Sequence, residues 1–137
     1  MANVHSKYTL GGLQFHEGAT TLLEIAQTAN GGVKPMFVAY SANGAIGLYS
    51  HTAVITKGTA AALTLAAPTA TTHDGVIIEI ISTTAAAHTV TATTVGFNAG
   101  DAASDVGTFG AAIGNSLRVI AYQGEWYVLN NVNVTLA

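Results

Sequence analysis

The sequence predicts an all-β domain, a compact antiparallel β-sandwich or small barrel with a less regular N-terminal part. Three observations carry that prediction. Thr and Val are abundant, and such β-branched residues fit a pleated, half-buried surface better than a helix. Short apolar runs alternate with polar residues at period two. Turn signals containing glycine separate the runs at roughly 8–12-residue spacing, as in sandwiches and barrels.

Residues 1–50 mix Gly with polar residues and read as an arm or extension of a β-module that occupies 51–137, with a soft boundary near Ser50-His51. Within the arm, residues 20–27 hold Leu22, Leu23 and Ile25, with Thr21 and Glu24 at capping-box spacing. That pattern would suit one turn of helix, but its short length and the following Asn30-Gly31-Gly32 favour a strand. Asn43-Gly44 marks a tight turn after 36–40. Leu63 and Leu65 flank Thr64 until Pro68 ends the run. The alanine triplets at 60–62 and 85–87 are too short to nucleate a helix.

Asp74-Gly75 leads into residues 76–81, apolar on both faces apart from Glu79, as a central or covered strand would be. Arg118 is the expected cross-sheet partner of Glu79. In Thr89-Val90-Thr91-Ala92-Thr93, Val90 and Ala92 share one face and the threonines the other. Residues 98–105 read as an exposed loop. Gln123-Gly124 separates the runs 117–122 and 125–130, the signature of a two-residue β-hairpin. No internal repeat of fixed period appears, which argues against a solenoid.

The 137 residues suffice for one domain with a real core. Only 8% are charged, against about 25% in an ordinary soluble domain. Neutral small residues and burial against copies or a larger lattice must cover the remaining surface, so the working state is expected to be an assembly. The net charge is −3, and Lys7, Lys34, Lys57 and Arg118 are scattered, which excludes a phosphate-binding patch and hence nucleic acid as partner. No apolar run approaches the roughly 20 residues of a membrane helix, and the N-terminus lacks a secretory apolar region. The expectation is a chain made in the cytoplasm.

Chemistry-bearing residues form no recognisable site. The absence of cysteine removes thiolate metal centres and thiol nucleophiles. His5, His16, His51, His73 and His88 lack the close spacing of metal ligands, and surface or strand-end positions are expected for them. Asn98, Asp101 and Asp105 could face a hard cation, but they lack the order of a calcium loop and suit a solvated turn. The seven acids are dispersed, and no Gly-x-Ser-x-Gly or phosphate-binding glycine loop occurs. No enzyme activity, cofactor or metal is expected. The aromatics Tyr122, Trp126 and Tyr127 cluster on the terminal hairpin. Alternation sends Trp126 and Tyr127 to opposite faces, one to the core and one to an interface or a glycan contact.

Residues 51–137 resemble a β-module of tailed-bacteriophage virion proteins. The likeness lies in Ile55-Thr56-Lys57-Gly58, Leu63-Thr64-Leu65 with Pro68, Asp74-Gly75-Val76-Ile77-Ile78 and Ala87-His88-Thr89-Val90-Thr91. It continues in Phe109-Gly110, Gly114-Asn115-Ser116-Leu117 and Gly124-Glu125-Trp126-Tyr127. Such modules occur in head decoration proteins and in tail fibres or spikes, often as trimers. A short chain without a fibrous stalk favours the former. The resemblance implies a homotrimer on the capsid exterior that bridges copies of the major capsid protein; residues 1–50, outside the resemblance, are the segment expected to grip the lattice. The alternative it implies is a host-glycan-binding module of a tail fibre or spike.

Overall fold

The computed structural model describes residues 36–98 and 105–137, together with the backbone of three N-terminal strands: β1 (Val4–Thr9), β2 (Gly12–Glu17) and β3 (Thr20–Ala26). The chain divides into two compact units, Met1–Pro35 and Met36–Ala137. In the first, β1, β2 and β3 form an antiparallel meander whose register sets Leu13 opposite both Tyr8 and Ile25. The segment where helix and strand patterns compete is therefore strand β3. The compositional shift near Ser50-His51 falls inside the second unit.

The second unit contains ten strands: β4 (Phe37–Tyr40), β5 (Gly44–Ile46), β6 (Thr52–Ile55), β7 (Ala62–Leu65), β8 (Ile77–Ser82), β9 (Thr89–Ala92), β10 (Val106–Phe109), β11 (Ser116–Tyr122), β12 (Glu125–Val132) and β13 (Val134–Leu136). They form two five-stranded sheets, ordered β12-β11-β8-β6-β4 and β13-β10-β9-β7-β5. The sheets pack together as a sandwich; neither their order nor their edges close into a barrel. No helix occurs among the described residues.

The pairing is mixed rather than antiparallel throughout. Between 37 and 92 the chain crosses from one sheet to the other after every strand, so strands that meet in one sheet run in the same direction. β4, β6 and β8 are parallel, as are β5, β7 and β9. This is the winding of a solenoid, in a sequence without a repeat. Registers explain the discrepancy: Phe37 meets Thr52, which meets Glu79, while Gly44 meets Leu63, which meets Val90. Successive turns differ in length, so no fixed period can appear. Antiparallel pairing begins where the chain folds back through β9–β10 and β11–β12.

Alternation fills the core as expected. Ile78 and Ile80 of β8, Leu63 and Leu65 of β7, Val90 and Ala92 of β9, and Leu117, Val119 and Ala121 of β11 point inward and are buried. Phe97, Phe109 and Trp126 are the largest fully buried side chains. β8, apolar on both faces, is the central strand of its sheet. The Gln123-Gly124 hairpin forms with φ of 51° and 84°, the doubly positive geometry of a type I′ turn. Asp74 ties it down: both carboxylate oxygens accept at 2.7 Å, Oδ1 from the Gln123 backbone N–H and Oδ2 from its side-chain amide.

Candidate interaction faces

Trp126 is the core member of the aromatic trio. It is fully buried, and its indole N–H donates to the Ala66 carbonyl at 2.9 Å, which satisfies the one polar atom it carries inward. Tyr122 and Tyr127 are exposed, at 58% and 36%. Tyr122 lies opposite Glu125 and Tyr127 opposite Ile120, so the two tyrosines are diagonal neighbours on the outward face of the β11–β12 pair.

That face extends across the whole sheet. Its outward positions form rows set by register: Tyr127, Ile120 and Ile77 in one, and Val132, Ser116, Ile81, Val54 and Ala39 in another. Between them runs Asn130, Arg118, Glu79, Thr52 and Phe37. Leu129 and Val132 are exposed at 49% and 46%. Arg118 therefore stands directly opposite Glu79, the neighbour expected of it, and both are exposed. An outward sheet face this rich in Ile, Val, Leu and Tyr is unusual, because the solvated side of a sheet is normally polar.

The outward face of the other sheet has the opposite chemistry. Thr135, Thr108, Thr89 and Ala62 form one row across β13, β10, β9 and β7. Val106, Thr91, Thr64 and Ala45 form the next. No charged residue stands in either row. Threonine suits such a face twice over: its branched Cβ favours the strand, and its hydroxyl is hydrated without charge. Part of the surface that so few charges leave uncovered is coated by these hydroxyls.

The described histidines separate into distinct roles. His51 is exposed, with φ at 44°. His73 accepts at Nδ1 from the Thr69 N–H at 2.8 Å and lies against Tyr49, ring centroids 5.3 Å apart. His88 stands immediately before β9, at a strand end, and is fully buried rather than on the surface. Its Nδ1 accepts from the Ala61 N–H at 3.0 Å, so the neutral ring carries its proton on Nε2 and donates to Thr84 Oγ1 at 2.9 Å. Thr84 in turn donates to the Lys57 carbonyl at 2.7 Å. Burial, and secondarily the Lys57 charge, hold the His88 pKa below its ordinary value. The neutral imidazole is a buried clasp joining three segments, a role that sequence spacing does not reveal. His5 and His16 are cross-strand partners in β1 and β2 by backbone register.

Asp101 lies outside the described residues. Asn98, at φ 56°, accepts through Oδ1 from the Val128 N–H at 3.0 Å, a structural bond to β12. Among the described residues, no group of three or more His, Asp or Glu side chains is placed to hold a metal ion. No protein-family model matches the chain, and no curated protein matches it.

Proposed function

We propose that this protein is a structural component of a multi-copy assembly, and specifically that it decorates and stabilises the outside of a phage capsid by bridging capsomers. The observation that supports this reading is the chemical contrast between the two outward faces of the sandwich. One carries Tyr127, Ile120, Ile77, Val132 and Ile81, the other threonine rows without charge. A threonine face keeps a weakly charged particle hydrated. An apolar face gains by leaving water, at about 25 cal/mol per Å² buried. Repetition over a lattice turns many such modest contacts into a strong one.

The test is copy number in purified virions, by densitometry against the major capsid protein. A ratio near one-to-one, or a fixed simple fraction of it, supports a lattice-wide decoration protein. A handful of copies per particle, or none, overturns it. The exposed diagonal pair Tyr122 and Tyr127 favours one second reading, a glycan-binding platform. That reading requires saturable sugar binding lost in Tyr127→Ala with the fold intact.

A further inference from the structure

We infer that the apolar face of the β12-β11-β8-β6-β4 sheet is a self-complementary docking surface whose occupant is a second copy of the same chain, related by a two-fold axis. The inference deepens the assembly reading and rests on it.

The central row of the face decides the occupant. Arg118, the chain's one arginine, stands directly across from Glu79 on the adjacent strand, and both side chains are exposed. A two-fold axis lying in the interface, parallel to the strands and between β8 and β11, sets each Arg118 over Glu79 of the second copy. The same operation exchanges β11 with β8 and β12 with β6. Ile120 then faces Ile77 of the second copy, and Val132 faces Val54, because these residues share rows in the register. Apolar groups meet apolar groups and the cation meets the anion, which is what an isologous contact requires. The threonine face offers no such pairing, since it carries no charge to fix a register.

Four strands at about 4.8 Å spacing, each presenting about 20 Å of length, give a face of roughly 400 Å² per copy. A standard stable interface uses about 800 Å² per partner. The contact therefore belongs to the weak, reversible class of interface, within reach of sedimentation at micromolar concentrations, and suits copies already gathered on a lattice.

The experiment is sedimentation over a concentration series with the full chain. Wild type is expected to shift from monomer to dimer as concentration rises. Arg118→Glu and Glu79→Arg alone should each shift at least tenfold toward monomer, because like charges then meet across the axis. An equimolar mixture of the two should dimerise at least as well as wild type, since every facing pair is again opposite in sign. This mixture leaves the cross-strand pair within each chain unrepaired, so recovery can come only from the contact between copies. A mixture no better than its components, a wild type monomeric at every concentration, or a mass that gives a trimer alone overturns the two-fold contact.

A second variant guards against misfolding. Asn130 and Thr52 share the central row three strand spacings apart, roughly 14 Å, beyond the reach of one disulfide. The chain has no cysteine of its own. With Asn130→Cys and Thr52→Cys together, oxidation should give a covalent dimer; failure to crosslink counts against the geometry. A monomeric chain found at high copy in virions refutes the two-fold contact and leaves the decoration reading intact. A dimer absent from virions does the reverse.

Discussion

Acid should loosen the sandwich at one identifiable place, the His88 clasp. Protonation puts a hydrogen on Nδ1, where the Ala61 N–H already points, so two donors face each other and the 3.0 Å bond is lost. Burial opposes the charge as well, and Lys57 adds a smaller repulsion. The folded-state pKa therefore lies below the unfolded value of 6.5. The sign follows: above pH 6.5 both states hold a neutral ring, and His88 gives no pH dependence. Below it the unfolded chain takes up the proton first, and stability falls until the folded-state pKa is reached. One proton of difference corresponds to at most about 1.4 kcal/mol per pH unit, so the loss by pH 5 is bounded at about 2 kcal/mol. Urea denaturation at pH 7.5, 6.5, 5.8 and 5.0 reads this as a falling midpoint at constant slope, and His88→Phe should remove the His88 share of the fall. That variant also strands the Ala61 N–H and should cost about 1–3 kcal/mol at pH 7.5. Nitrogen chemical shifts provide the direct check, with Nε2 protonated and Nδ1 bare at pH 7.5, and a ring that takes up its proton at lower pH than a free histidine. A His88 ring that protonates in the folded protein as readily as a free histidine, or an unchanged pH slope in His88→Phe, would rule out the clasp as the acid-sensitive point.

Other substitutions probe the packing. Trp126→Ala should cost about 3–5 kcal/mol in urea denaturation, because a fully buried indole and its bond to Ala66 are removed together. Tyr127→Ala, on the outward side of the same strand, should cost under about 1 kcal/mol of stability while weakening self-association. Gly110→Ala places a Cβ in the Asn133 amide, which is held by Asn115 at 3.2 Å, and should destabilise by about 1–3 kcal/mol. Asp74→Ala should cost about 1–2 kcal/mol and speed hydrogen exchange at the Gln123 amide, with protection in the core strands falling only as far as global stability does.

What the sequence discloses of this fold is its local physics. Period-two alternation identifies Leu63 and Leu65, or Val90 and Ala92, as inward, and Gln123-Gly124 specifies its hairpin because only certain residues accept positive φ twice in succession. Topology was not legible for the converse reason. Crossing between sheets and turning back within a sheet both use polar, Gly- and Thr-rich connections, so residues 56–61 and 66–76 do not announce which they do. The parallel pairing of β4, β6 and β8 depends on that choice. The apolar face was hidden similarly. Ile77 lies 43 residues before Ile120 and 55 before Val132, so their place on one face is a property of register and emerges only once the strands are paired. His88 reads as a strand-end histidine in any one-dimensional view, since its partners Ala61 and Lys57 lie some thirty residues earlier.

In the proposed assembly the apolar sheet face is buried and the threonine face stays in water. Oxidative footprinting of virion-bound against free protein tests this most directly, reading Tyr122, Tyr127 and Leu129 on the apolar face, with exposed Tyr49 as an internal reference. Severalfold protection of Tyr127 and Leu129 is expected on assembly, with Thr64, Thr108 and Thr135 as accessible as in the free chain. Unchanged labelling of Tyr127 and Leu129, together with protection along the threonine rows, would contradict it.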